Sequence, residues 1–200
     1  MPPSLYLYPM ALPQSSLAVC LSLALAGVSV CAKAGDPEWK QYSDPNHRFI
    51  IHHPGTTQPE AGSDKEPGLL SRVRFKFEQS FHSGADAGSL KFNFQISVWQ
   101  NTNHLTAEAW AKRDDNPQLT LDTCAVRIAG RKAVRLRTTN LAWTIVRTFV
   151  GEQECMYELR YMDVTANKLL LPDDTRARWA VTFARMEESF VICSGEGRSN

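Results

Sequence analysis

His47, His52, His53, His82 and His104, with Asp44 near the first three, are the side chains of this chain suited to holding a metal ion or moving a proton. Their spacing does not assemble such a centre. Successive residues of a strand point to opposite faces, so His52 and His53 cannot both reach one ion from regular backbone. No His-x-x-x-His, His-Glu-x-x-His or Cys-x-x-Cys occurs, and the metal content is left unassigned. Gly-x-Ser-x-Gly, the phosphate-binding P-loop and Gly-x-Gly-x-x-Gly are also missing, so neither a catalytic residue nor a cofactor is assigned. The alternative to a noncatalytic protein is a metal-dependent or hydrolase-like enzyme with its site near Asp44 to His53.

Arginine and lysine carry the other chemistry. Arg72, Arg74, Lys76 and Lys91 alternate with Val73, Phe75, Phe77 and Phe92, and Arg127, Arg135 and Arg137 alternate with Val126, Val134 and Leu136. If the apolar side chains face a core, the expectation is one cationic sheet face built from Arg72, Arg74, Lys76, Arg127, Arg135 and Arg137. Such a face suits carboxylate, phosphate or sulfate groups, which guanidinium engages through forked hydrogen bonds. The competing expectation is that these cations pair with acids from residues 55–68 and the helices. No aromatic residues interleave on that face for base stacking, so nucleic acid is not the expected partner.

The elements that must position these residues follow from periodicity. Val73, Phe75, Phe77 and Phe81 share one face of a strand and Phe92, Phe94, Ile96 and Val98 one face of the next, with Ser83 to Gly88 expected as the hairpin loop. Further strands are expected around Val126–Ile128 and Val134–Leu136, turning at Ala129 to Lys132. Two more apolar runs, Trp143–Val150 and Cys155–Met162, suit central positions. Short connections imply antiparallel neighbours. Thr106–Asp115 reads as a helix with Thr106 as N-cap. A second helix is expected over Asp173–Phe190, where Trp179, Phe183, Met186 and Phe190 recur at helical spacing. Residues 55–68 and 194–200 look loose.

An apolar run from Leu17 to Val30 followed by Ala32-Lys33-Ala34 has the layout of an export signal, with cleavage expected after Ala34. It falls short of the ~20 apolar residues that span a bilayer, so the processed chain is not expected to be an integral membrane protein. The expected organisation is a signal peptide at 1–34, one domain at 35–195 and a tail at 196–200, in a periplasmic or secreted protein. All 21 acidic residues and 21 of the 22 basic ones lie after Ala34, so net charge selects no partner. In an oxidising compartment Cys124, Cys155 and Cys193 could form one disulfide. In a simple meander, Cys124 and Cys155 sit at opposite ends of strands three spacings of ~4.8 Å apart. A last helix antiparallel to the Cys155–Met162 strand, rising ~1.5 Å per residue, returns the chain to the level of Cys155 near Cys193. The pairing expected is Cys155 with Cys193, the alternative being three thiols.

The segment Trp39-Lys40-Gln41-Tyr42-Ser43-Asp44-Pro45-Asn46-His47-Arg48-Phe49-Ile50-Ile51-His52-His53-Pro54 resembles the opening of PsbP-like domains, in which a Tyr-x-Asp/Asn-Pro turn leads to a Phe-containing strand and then Pro. The downstream Thr-Ala-Glu-x-Trp helix, the strands around Ala-Gly-Arg-Lys-Ala and the closing amphipathic helix are similar too, over about Trp39 to Phe190. The Gly usual before the Phe is Arg48 here, and the Trp that often follows the Pro is absent. The resemblance implies an α+β domain, an αβα sandwich with a mainly antiparallel sheet and a C-terminal helix packed on it. It implies little about activity beyond favouring a noncatalytic role, because relatives are mostly accessory or binding proteins. The export signal and the cationic face add the expectation that the protein docks on an envelope protein or an anionic surface. Fold alone does not choose among their functions.

Overall fold

The computed structural model describes residues 38–193 except 47, 63–64, 84–85, 115, 140–142, 153 and 165–170. The expected signal peptide and the tail lie outside the described residues.

Chain order gives β1 (Trp39–Ser43), β2 (Phe49–Pro54), β3 (Pro59–Ala61), β4 (Leu69–Ser83), β5 (Asp86–Gln100), α1 (Ala107–Asp114), β6 (Thr120–Ile128), β7 (Arg131–Thr139), β8 (Thr144–Glu152), β9 (Cys155–Met162), α2 (Asp173–Glu188) and β10 (Val191–Ile192). Seven strands form one antiparallel sheet in the order β3-β4-β5-β9-β8-β7-β6, and β1-β2-β10 form a second. The alternation of Phe and charge on β4 and β5 is realised in the expected sense. Phe75, Phe77, Phe92 and Phe94 are all buried on one face. α2 lies over them, with Trp179 edge-on to Phe77 and Phe92 and Phe183 in contact with Phe77, Phe92, Phe94 and Tyr161. The small sheet shares that layer. Phe49 packs on Phe190, and Tyr42 and His53 pack on Phe75.

Three expectations change. The αβα sandwich holds only in part: α1 covers part of one face through Ala107 and Ala111 on Val134, Leu136, Phe149 and Met156, while α2 divides the other face with the small sheet. The hairpin loop is shorter than Ser83 to Gly88, because pairing continues to Ser83 opposite Asp86. There Gly88 faces Phe81, whose ring tip stands 2.8 Å from where a Cβ would be, so the ring lies over the glycine and a larger residue would push it aside. Within residues 55–68, the three residues of β3 pair with β4 and shield part of its edge.

Both helix starts follow from local chemistry. Thr106 Oγ1 accepts a hydrogen bond from the Ala109 N–H at 3.2 Å, the N-cap expected there. α2 begins after Pro172, with Asp173 and Asp174 in its positive first turn. It ends at Glu188, so Phe190 reaches the core from the turn beyond the helix.

A candidate docking face on the large sheet

Register decides which cations share a face. The cross-strand row Arg74, Gln95, Arg160, Arg147 runs over β4, β5, β9 and β8, and the next row places Arg72, Ser97, Glu158 and Phe149 side by side. Lys76 and Arg127 belong to this same face by parity, opposite the aromatic core. Arg135 and Arg137 do not. They align with Thr148 and Val146 on the α2 side, so the expected single cationic face is divided between the two sides of the sheet. The physical reason is that the apolar side of β7 faces the opposite way from that of β4 and β5: Val134 and Leu136 are buried under α1, not beneath α2 with the phenylalanines, so the alternating Arg135 and Arg137 fall on the α2 side.

The two sets differ in their partners. On the α2 side, Arg135 Nη2 donates to Glu187 at 2.6 Å, and Arg137 bridges Asp122 at 2.9 Å and Asp163 at 3.0 Å. Burial raises the Glu187 carboxyl above its ordinary range, against the pull of Arg135 and of the Thr148 hydroxyl, which donates to it at 3.2 Å. The Glu187 contacts tie α2 to the sheet, and the Arg137 bridges tie β7 to β6 and to the end of β9.

On the opposite face the guanidinium groups stand on a buried polar floor. Arg72 Nε donates to Ser97 Oγ at 3.1 Å and Arg74 Nε to Gln95 Oε1 at 3.1 Å, while the Gln95 amide donates to Ser97 at 3.0 Å. Buried Glu158 accepts from Arg147 Nε at 2.7 Å and from the Trp99 indole at 3.2 Å. Arg147 also lies 5.0 Å over the Phe149 ring. Arg72 reaches Glu66 at 2.7 Å and Lys76 reaches Glu60 at 2.5 Å, both at the sheet margin. Arg127 donates to the Gly130 carbonyl at 3.0 Å. Arg160 is exposed and has no ion-pair partner among the described residues. It stands directly opposite Arg147, a like-charge pair that an unliganded sheet does not favour.

Beside this face a cavity of about 320 Å³ opens between Trp99 and Trp110. Arg72 lies 5.6 Å from the Trp99 ring centre and Arg113 5.1 Å from that of Trp110, so the cationic surface continues into aromatic walls. With Phe149 under Arg147 as well, the expectation of a basic face without interleaved aromatic residues is corrected.

The described residues of the Asp44–His53 region are tied into the fold by their hydrogen bonds and packing. Asp44 Oδ2 accepts the Asn46 and Arg48 N–H groups at 3.0 and 3.3 Å, an Asx turn that explains an Asp before Pro45. His53 is buried on Phe75 with its Nδ1–H donating to the Pro54 carbonyl at 3.0 Å, beside the Thr57 hydroxyl. His52 is on the exposed side of β2, and His47 lies outside the described residues. Among the described residues no group of three His, Cys, Asp or Glu could hold a metal ion.

Cys124, Cys155 and Cys193 are free thiols, so the expected Cys155–Cys193 bond is not formed. The helix return does bring the two chain levels together, since the Cys193 N–H and the Tyr157 hydroxyl both donate to the Arg48 carbonyl, at 2.9 and 3.3 Å. What the meander geometry left out is β10, whose Val191 and Ile192 pair with β2 in the small sheet just before Cys193.

Sequence reasoning missed Arg147 and Arg160, because β8 and β9 read as apolar on both faces. The signal was their even spacing from Phe149 and Glu158, which becomes informative only with the register.

No family model matches this chain, and no curated protein does. Among solved structures it is similar to the solution structure of cyanobacterial PsbP from Synechocystis sp. PCC 6803. The match covers 82% of this chain and 98% of that one, at 13% identity and a TM-score of 0.49.

Proposed function

We propose that this protein is a noncatalytic, exported binding module that docks an acidic protein surface on the open face of its large sheet. One observation carries the reading: exposed Arg160 has no ion-pair partner among the described residues, yet it is aligned between Arg74 and Arg147, both fixed by hydrogen bonds to a buried polar floor. Guanidinium groups held in place from beneath lose little further entropy on meeting carboxylates. Export rests on the Leu17–Val30 run and the Ala-Lys-Ala site. In support of a protein that works outside a bilayer, none of the described helices is long and apolar enough to cross one.

The test uses poly-L-glutamate as the probe, titrated at low and physiological salt. Binding should weaken steeply as salt rises. Arg74→Glu and Arg160→Glu should each weaken it about tenfold, equivalent to ~1.4 kcal/mol. Arg137→Glu, on the other side of the sheet, should leave the affinity of folded protein unchanged. Equal affinity in the Arg74 and Arg160 variants overturns the proposal.

A further inference from the structure

The large sheet ends at β6, whose outer edge has no partner strand among the described residues. Ala129 and Gly130, both at positive φ (51° and 74°), make the two-residue turn to β7 and close the Ile128–Arg131 pair. In such a hairpin that closing pair is hydrogen-bonded, and bonding then alternates along the strand. Val126 and Cys124 therefore spend their backbone groups on β7, while Thr123, Ala125 and Arg127 turn theirs outward. From Thr123 to Val126 the strand carries no proline and no charge; Asp122 and Arg127 flank that stretch, and the register shift between Thr120 and Asp122 lies ahead of it. Thr123, Cys124 and Ala125 are exposed, and so is Leu121 at 54%. A groove of about 220 Å³ lies along this edge beneath α1, lined by Glu108, Ala111, Thr123, Ala125 and Leu136.

We propose that β6 is a self-pairing edge: two copies of this chain join antiparallel along it, about a two-fold axis through Cys124. The alternation requires a register that sets outward-facing residues opposite one another, as this one does. Outward-facing Thr123 meets outward-facing Ala125 of the second copy and each exchanges its free N–H and C=O with the other, which no register shifted by one residue allows. No like charges come opposite each other. Asp122 faces Val126 of the second copy, and Arg127 lies beside exposed Leu121, which its aliphatic stem covers. On the α1 side the incoming strand carries Arg127 along the face where Glu108 lines the groove. Cys124 meets its own copy at a non-hydrogen-bonded position, where Cα atoms stand roughly 4.5 Å apart. That separation is within the range of roughly 4.4–6.8 Å found in disulfides.

The test measures mass and cross-linking on the folded chain. Sedimentation should give a dimer. Diamide, which takes two electrons and two protons from two Cys124 thiols to form one S–S bond while its N=N is reduced to the hydrazine, should lock that dimer covalently. The lock should vanish in Cys124→Ser, which stays a noncovalent dimer, and persist when Cys155 and Cys193 are both replaced by Ser. Ala125→Pro removes an outward N–H, and Thr123→Lys brings a charge into the groove. Each should give a monomer with the parent circular dichroism. A parent chain that sediments as a monomer and resists the Cys124 lock overturns the proposal, as does a dimer that survives in the folded Thr123→Lys variant. The first result would leave the edge to a strand from a different protein.

Discussion

His53 and Glu187 are two buried titratable side chains whose environments pull stability in opposite directions with pH. Burial on Phe75 lowers the His53 pKa from its ordinary 6.5, against the hydrogen bond to Pro54. The unfolded imidazole then takes up a proton before the folded one, so this contribution is present above pH 6.5 and is lost as pH falls through the lowered folded value. Burial raises Glu187 above its ordinary 4.5, so its contribution is present below that value and is lost as pH rises through the raised one. Denaturant titrations across this range should show the acid-side loss flattened in His53→Gln and the loss on the rising side flattened in Glu187→Gln. At Arg160 the expectation is a gain in stability. Replacing it by Gln removes the like-charge pair with Arg147, and the melting transition should rise by the equivalent of about 0.2–1 kcal/mol while poly-L-glutamate binding falls.

The elements read from periodicity are those whose two faces differ. β4 and β5 alternate ring and charge, and Phe94, fully buried and in contact with Tyr161 and Phe183, marks their centre. Phe94→Ala should destabilise the domain by roughly 3–5 kcal/mol in a denaturant titration. The β6–β7 turn was visible from Ala129-Gly130, and the structure adds that Ala129 is left-handed with a φ of 51°. An L-residue with a Cβ is disfavoured there by roughly 1–2 kcal/mol, so Ala129→Gly should raise the melting temperature, offset in part by the greater freedom of glycine in the unfolded chain. β7, β8 and β9 were legible as strands but their sidedness was not. With apolar residues at both parities, Val134 and Ala133 alike, nothing local says which side meets α2 and which meets α1. That ambiguity put Arg135 and Arg137 on the wrong side and hid Arg147 and Arg160.

For the whole molecule, charge totals and motif searches left the candidate docking face incomplete because it is assembled by pairing between strands far apart in sequence, Gln95 with Arg160 above all. The small sheet was equally out of reach, since it joins β2 to two residues some 140 positions later. If export removes residues 1–34, intact-mass measurement on the secreted protein should give a chain beginning at Gly35, just ahead of β1. A mature protein retaining that segment would refute the cleavage. The union of β2 with β10 also sets a timetable. A chain emerging from a ribosome or a translocation pore presents Phe49 and Ile51 first and their covering strand last, so that edge stays uncovered until nearly the whole domain has come out. Removing the last few residues from Val191 onward should therefore leave a chain that holds its long hairpin yet clumps through the orphaned β2 edge, and a chaperone that grips extended apolar segments would have its longest engagement at this end of the polypeptide.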